Sequence, residues 1–282
     1  LAAYLGDVES AKRLLDKGTD VDLRDSRSWT PLHYAAQQGQ ADMTEYLLAN
    51  GAQVNATDEY GYTPLQLATK HLEVTKILVD HGADLEAGSQ SEQTALQRAI
   101  LHGDKKVVDF LIDRGAKVGL HTAAYIGRLD KVKEHLANGA DINLRPVQMD
   151  SAAFEELFAI YGKIPPEPNE PRGDTPLHRA VEGGHADIVE FLAASGADLE
   201  ARDNGDWTPL HDAAYLGFTE IARILISHGA EINIASEGVD TPLHVAARCG
   251  HTSMVELLIA NGADTTQKDR HGRTALDDAW DR

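Results

Sequence analysis

The chain has 282 residues, of which 26 are Lys or Arg and 45 are Asp or Glu, and its formal net charge is −19. This acidic balance argues against a nucleic-acid partner, because affinity for a phosphate backbone comes from clustered Lys and Arg side chains. No stretch approaches the roughly 18 to 20 consecutive apolar residues of a membrane-spanning helix, and the single cysteine, Cys249, excludes an internal disulfide bond, so we expect a soluble, cytoplasmic protein without a membrane partner.

A short signature recurs along the chain and divides it into repeats. It reads Thr-Pro-Leu-His at residues 30–33, 175–178, 208–211 and 241–244, and Thr-Pro-Leu-Gln at residues 63–66. Neighbouring copies start 33 residues apart, as from Thr208 to Thr241. A fixed period of this length indicates an array of stacked repeats, each of which packs only on its neighbours.

Each repeat predicts two short helices followed by a turn. Thr241 can cap a helix with its hydroxyl, and Pro242 suits the first helical position because it has no N–H to leave unpaired. Small apolar residues then follow at helical spacing. A second helix is predicted over 253–260, and it stops at Gly262, which can take the left-handed conformation that follows a helix end. One helix pair cannot bury both of its faces, so stacking must supply the core.

This pattern resembles the ankyrin-repeat family, whose repeats carry a T-P-L-H-x-A signature at the same period. The resemblance implies an all-α fold, a solenoid of antiparallel helix pairs with β-turn projections. It extends over nearly the whole chain, with a ninth, partial repeat from residue 272 onward. The eight complete repeats end at Gly18, Gly51, Gly82, Gly115, Gly139, Gly196, Gly229 and Gly262.

Several repeats depart from the pattern. The first opens at Leu1 without an initiator Met, inside a predicted helix, so we expect a fragment of a longer protein. The third is two residues shorter between its helices, near Lys70 and His71, which predicts a tight turn there. The fifth lacks about nine residues before Leu120. We therefore predict two blocks, residues 1–119 and 120–282, with a changed stacking angle between them.

An insertion of about 24 residues, at about 144–172, separates the fifth repeat from the sixth. Ser151 can cap a helix there, and the segment after it, residues 164–171, is proline-rich. Two interpretations stay open: the helix packs its aromatic face onto the array, or it forms one wall of a partner site. The aromatic and apolar residues at helical spacing in it are Phe154, Leu157, Phe158 and Tyr161.

Histidine recurs at one position of the repeat. Equivalent side chains on stacked helices lie roughly 10 Å apart, which is too far for shared metal coordination at about 2.0 to 2.1 Å. We predict structural histidines that hydrogen-bond between adjacent repeats, and we expect no metal site, no cofactor and no catalytic residue. Cys249 has no nearby pair of a repeat-position His and an Asn that would indicate a thiol nucleophile. The histidines are His33, His121, His178, His211 and His244, and Gln66 and Gln97 replace them in two repeats.

The resemblance also implies a concave binding face, formed by the turn tips and the exposed ends of the first helices. Two positions on it, just before the Thr and just after the Ala-Ala pair, carry aromatic residues, which are enriched at interface hot spots. We predict partner-binding anchors at Trp29, Tyr62, Tyr125, Trp207 and Tyr215. Four charged residues are expected to tune specificity: Asp206, Asp212, Asp240 and Arg248.

These features predict a non-enzymatic module or scaffold for protein–protein interaction, monomeric, with a protein or peptide partner on its concave face. Two alternatives remain. The chain can be the regulatory or accessory arm of a larger enzyme whose catalytic part lies elsewhere, or a scaffold that self-associates through the insert helix.

Overall fold

The structure is a computed structural model, and it describes residues 1–88, 93–145, 173–238 and 240–280. Within these ranges the regular elements are helices, apart from one isolated β-bridge between Lys268 and Thr274. The all-α prediction is confirmed. None of the helices in the described ranges has the length and apolar character needed to cross a bilayer.

The chain divides into two compact units, Leu1–Lys117 and Val118–Arg282. The first contains α1 (Ala2–Leu5), α2 (Val8–Leu15), α3 (Pro31–Gln38), α4 (Ala41–Ala49), α5 (Pro64–Leu67), α6 (Leu72–Asp80), α7 (Ala95–His102) and α8 (Lys105–Asp113). The second contains α9 (Leu120–Tyr125), α10 (Leu129–Ala137), α11 (Pro176–Glu182), α12 (Ala186–Ala194), α13 (Pro209–Leu216), α14 (Thr219–Ser227), α15 (Pro242–Cys249), α16 (Thr252–Ala260) and α17 (Ala275–Trp280). The predicted blocks and the predicted change of stacking angle stay predictions.

The start of each Thr-Pro helix follows from its sequence. At α11 the Thr175 hydroxyl accepts a hydrogen bond from the His178 backbone N–H at 3.5 Å. The His178 ring returns the bond, because its Nδ1 accepts from the Thr175 backbone N–H at 3.2 Å. Pro176 takes the first helical position, where its missing N–H costs nothing. Two side chains thus satisfy backbone groups that the helix itself leaves unpaired.

Glycine at the end of a first helix is required by conformation and by space. Gly217 follows α13 with φ of 73°, in the left-handed region that β-carbons disfavour. A Cβ atom there would lie 2.8 Å from Nδ1 of His251, which precedes α16 in the next repeat. The His251 Nε2 donates to the Tyr215 carbonyl oxygen at 2.9 Å. The glycine therefore lets a histidine of the following repeat approach the backbone of α13.

The core lies between and within the helix pairs of each compact unit. Within a unit, each first helix packs on its own second helix and on the first helix of the next repeat, as α13 does on α14 and α15. The leucine of each Thr-Pro-Leu signature is at most 2% exposed, and the second helices add equally buried residues. These side chains are Leu32, Leu65, Leu177 and Leu210 from first helices, and Met43, Leu78, Leu192 and Leu225 from second helices.

The third repeat corrects one expectation. The predicted tight turn is wrong. The first helix is shorter, and four residues, 68–71, separate it from the second helix, where two, 39–40, separate α3 from α4. Helix α5 has four residues, Pro64–Leu67, where α3 has eight. His71 still precedes the second helix, and its Nε2 donates to the Gln37 carbonyl oxygen at 3.1 Å. The contact with the preceding repeat is kept, so the helix absorbs the deletion.

The prediction of structural histidines is confirmed. In each Thr-Pro-Leu-His repeat the ring Nδ1 faces the capping threonine, and Nε2 donates to a carbonyl oxygen in the turn before the next repeat. These Nε2 to oxygen distances are 3.1 Å from His33 to Tyr62, 3.2 Å from His178 to Trp207, 3.0 Å from His211 to Asp240 and 3.3 Å from His244 to Arg273. Gln66 reproduces the bond through its amide, at 2.6 Å from the Gln93 carbonyl oxygen. Both ring nitrogens are used in the scaffold.

Burial lowers the pKa of His178 and of His211 to about 4. Because these pKa values lie below the 6.5 of an unfolded histidine, both rings stabilise the fold fully above pH 6.5. That stability is lost progressively as the pH falls from 6.5 through the folded-state value of about 4.

We predict that His211→Gln weakens the acid sensitivity of the fold. The free energy of unfolding should lose up to about 1 kcal/mol per pH unit of its pH dependence between pH 6.5 and 4. Gln66 shows that an amide can keep the cross-repeat bond at neutral pH. Urea titrations followed by far-UV circular dichroism at several pH values measure this, and an unchanged pH dependence would contradict it.

The predicted insert helix, with Phe154, Leu157, Phe158 and Tyr161, lies outside the described residues. The flanks are described, and His121 donates from Nε2 to the Leu144 carbonyl oxygen at 2.9 Å.

Candidate partner-binding surface

The turn before α13, residues 202–207, has a backbone fixed by hydrogen bonds. We call this turn, and the equivalent turn before each first helix, a finger. Asp203 is its organising residue, because its backbone N–H donates to the Trp207 carbonyl oxygen at 2.9 Å and its carboxylate accepts from the Trp207 N–H at 2.7 Å. Asp206 has a left-handed φ of 61°. Arg202 forms an ion pair with Asp206 and donates to the Ala235 carbonyl oxygen of the next finger at 3.1 Å. Residues on this finger are therefore held before any partner arrives.

Trp207 and Tyr215 form an aromatic pair on that finger and the helix behind it. Their ring centroids are 5.5 Å apart, with an interplanar angle of 63°, the edge-to-face arrangement that aromatic pairs favour. Trp207 is half-buried and also stacks on His211 at 6.1 Å. Tyr215 is 53% exposed. Asp212 lies one turn before Tyr215 on α13, on the same side of the helix. We call Trp207, Tyr215, Asp206, Asp212 and Asp240 the Trp207 surface.

Two of the charged candidates pair with each other. The Arg248 guanidinium lies 2.7 Å from the Asp240 carboxylate, and the two side chains are 42% and 17% exposed. Exposed ion pairs of this kind contribute about 0 to 1 kcal/mol to stability. The pair therefore contributes mainly shape and charge at the next finger.

The first compact unit places Trp29 differently. Trp29 is 8% exposed, and its indole Nε1 donates to the Asp58 carboxylate at 3.0 Å. Tyr34 packs against it edge-on at 4.9 Å between ring centroids, and the Arg27 guanidinium covers it at 4.6 Å. This burial removes the Trp29 ring from the surface that we propose for a partner, and makes it part of the scaffold.

Tyr62 and Tyr125 are more accessible than Trp29. Tyr62 is half-buried under the Arg98 guanidinium, which lies 4.8 Å from the ring centroid. Tyr125 is 37% exposed, and its carbonyl oxygen accepts from His185 Nε2 at 2.8 Å. Their role as anchors stays a prediction.

Sequence reasoning missed Tyr34, whose hydroxyl donates to the Asp25 carboxylate at 2.7 Å and whose ring also meets Tyr4 at 6.4 Å. The signal available was its place in the signature, directly after His33.

Profile comparison decides the family. A profile described as "Ankyrin repeats (3 copies)" matches residues 1–89, 69–120 and 120–236, and one described as "Ankyrin repeats (many copies)" matches residues 225–279. The chain belongs to the ankyrin-repeat family. Ankyrin repeats form modules for protein–protein interaction, and their stacking creates extended concave surfaces.

Individual relatives align with parts of this ankyrin-repeat chain. "Ankyrin repeat protein nuc-2" of Neurospora crassa is 28% identical over 200 residues, which is 68% of the chain and 17% of the relative. A "Transient receptor potential cation channel subfamily A member 1 homolog" of Caenorhabditis elegans is 29% identical over 47% of the chain and 12% of the relative. "Cyclin-dependent kinase 4 inhibitor B" of Rattus norvegicus is 32% identical over 33% of the chain and 78% of the relative. The chain thus spans under a fifth of the first two relatives.

One carboxylate cluster at the last ankyrin repeat has the donors of a metal site. Oxygen atoms of Asp240, Asp269 and Asp278 lie within 4.8 Å of one another. Arg273 lies 3.0 Å from both Asp269 and Asp278, and Arg248 pairs with Asp240. Because guanidinium groups already supply positive charge there, we assign the cluster to holding the last finger in place.

The two tryptophans should differ in what they contribute to stability. Trp29→Ala is expected to cost about 3 to 5 kcal/mol, the usual range for a buried tryptophan. Trp207→Ala is expected to cost less, because its ring is more exposed than that of Trp29. Thermal and urea unfolding followed by circular dichroism compare them, and an equal loss for both variants would count against the assignment of Trp29 to the scaffold.

Proposed function

We propose that this chain is a protein–protein interaction module, or scaffold, that holds a protein or peptide partner on the Trp207 surface. The supporting observation is the aromatic pair of Trp207 and Tyr215, with Tyr215 53% exposed, on a finger whose backbone is already hydrogen-bonded. A preorganised aromatic pair loses little conformational entropy on binding. Asp206, Asp212, Asp240 and Arg248 then select among partners by charge.

The proposal assigns no catalytic role to these residues. The titratable groups near the pair are engaged in the scaffold, as His211 is with Thr208 and with the Asp240 carbonyl oxygen. The chemistry of the surface is that of recognition: an aromatic edge, a phenol and carboxylates.

A second arrangement is the accessory arm of a larger enzyme. The relatives bear only on the length of such a chain, since the aligned repeats make up 17% of one and 12% of another, and neither of these is named as an enzyme. The interaction module and the accessory arm use the same binding surface, and they differ only in which other domains the protein carries. Self-association through the insert helix concerns residues outside the described ranges and stays a prediction, as does the monomeric state.

Affinity capture followed by binding to the purified partner tests the proposal. Tyr215→Ala and Trp207→Ala should each weaken binding about tenfold or more, the loss expected for a hot-spot ring. Tyr60→Ala is the matched control, since Tyr60 is a tyrosine of the first compact unit with the same exposure, 53%, as Tyr215.

The control variant should leave the affinity unchanged. Partners that bind the wild type, Trp207→Ala and Tyr215→Ala equally would refute the proposed surface. A loss for Tyr60→Ala as large as that for Tyr215→Ala would show that the contact is not centred on Trp207.

A further inference from the structure

Three repeats carry an aromatic ring just before the signature threonine, and two of these rings are covered by an arginine of the chain itself. The Arg27 guanidinium lies 4.6 Å from the Trp29 ring centroid, and the Arg98 guanidinium lies 4.8 Å from that of Tyr62. A cation over an aromatic face is attracted by the ring quadrupole. The arginine over the ring therefore comes from one of two places in the sequence. Arg27 lies two residues before its ring in the same finger, and Arg98 lies on the first helix of the next repeat.

Trp207 is the third ring, and neither of the two equivalent positions holds an arginine. Gly205 stands where Arg27 stands relative to Trp29, and Val245 stands where Arg98 stands relative to Tyr62. Among the residues that the structure describes, no Lys or Arg lies over the Trp207 ring. In the same finger Arg202 is held by Asp206 and by a carbonyl oxygen of the next finger.

The histidine contact of Trp207 leaves room for a cation. Trp207 stacks on His211 at 6.1 Å and 27°, and Trp29 stacks on His33 at 6.0 Å and 30°. Trp29 keeps that contact together with the arginine above it. The two tryptophans therefore share the histidine contact and differ in the cation and in the hydrogen bond from Trp29 Nε1 to Asp58, a position held by Ser236 in the repeat after Trp207.

Acidic residues lie around Trp207 at positions where Trp29 has a packing aromatic side chain or where the neighbouring finger approaches. Tyr34 packs on Trp29 at 4.9 Å, and the equivalent position in the repeat of Trp207 is held by Asp212. Asp206 lies beside the ring in sequence, and Asp240 lies in the next finger. Asp206 is paired with Arg202 and Asp240 with Arg248, so three carboxylates against two arginines leave a net negative charge beside the Trp207 ring. An aromatic face in a negatively charged environment attracts a guanidinium or ammonium group.

We propose that the Trp207 surface receives an Arg or Lys side chain from a basic, extended segment of the partner protein. That side chain takes the place over Trp207 that Arg27 takes over Trp29. This inference rests on the proposed function, because it names the chemistry of the partner at the same surface.

Short peptides of defined charge test it directly. The probes are acetyl-Gly-Arg-Gly-Arg-Gly-Arg-Gly-amide and the same peptide with lysine, with glutamate, or with citrulline, the neutral analogue of arginine. Binding is followed by the indole N–H signal of Trp207 in 1H–15N spectra, with that of Trp29 as internal reference. The arginine and lysine peptides should shift the Trp207 signal in a saturable way, at least tenfold more tightly than the citrulline peptide. The glutamate peptide should not bind.

Gly205→Arg supplies the missing cation from the chain itself. Gly205 is exposed and outside the left-handed region, and an added Cβ would lie 3.2 Å from the Asp203 carboxylate oxygen that accepts from the Trp207 N–H. A neutral variant at the same position is therefore needed to separate this steric contact from the added charge. The variant should weaken the arginine peptide at least tenfold. Gly205→Gln, of similar length but neutral, should stay within about twofold of wild type. Circular dichroism and the thermal midpoint check that each variant is folded. Trp207→Leu removes the ring itself, and because it has no indole signal at this position its peptide affinity is measured by isothermal titration calorimetry, with wild type measured in the same way.

Several outcomes would overturn the inference: equal affinity for the arginine and citrulline peptides, equal weakening by both Gly205 variants, or unchanged binding in Trp207→Leu. If the peptides fail while a captured protein still depends on Trp207 and Tyr215, the cation is wrong and the interaction module stands. If the captured protein depends on neither residue, the proposed function fails as well.

Discussion

The bond from the signature histidine to the next finger is the interaction on which the rest of this structure depends. Its acceptor is the carbonyl oxygen of the residue just before the next threonine: Tyr62, Trp207, Asp240 or Arg273. These acceptors include three of the predicted partner-binding residues. The histidine bonds hold the backbone of these residues and do not depend on their side chains. The side chains at these positions can therefore differ between repeats while the spacing of the repeats is kept.

The second candidate position is held in the same way. Carbonyl oxygens of Tyr125 and Tyr215, just after the Ala-Ala pair, accept from His185 and His251 of the following repeats. Both bonds need a proton on the histidine Nε2. In the signature, Nδ1 of His178 and of His211 accepts from a backbone N–H, so these rings must be neutral, and burial lowers the pKa of both to about 4. Desolvation of these rings therefore maintains the geometry of the binding positions at neutral pH.

A feature of this fold or site could be predicted from the sequence when it depends only on residues close together in the chain. Caps, helix starts and the role of the histidines follow from residues within one signature, so they were predictable from Thr-Pro-Leu-His alone. The burial of Trp29 is not local, because it arises from Asp58 in the next finger and from Tyr34 on the following helix. The shortened α5 shows the same limit, since a two-residue deletion fixes the missing length but not the element that loses it.

Trp29 and Trp207 show why a repeat position is not by itself a functional assignment. Both rings stack on the signature histidine at nearly the same distance. Their surroundings differ at several positions. Arg27, Tyr34 and Asp58 contact Trp29, and the equivalent residues for Trp207 are Gly205, Asp212 and Ser236, while Trp207 packs on Tyr215 instead. The first set accompanies a ring that is 8% exposed, and the second accompanies a half-buried ring beside an acid. A tandem array can therefore assign one residue type to stability in one repeat and to recognition in another, because each finger is fixed by the preceding histidine and not by its own aromatic ring.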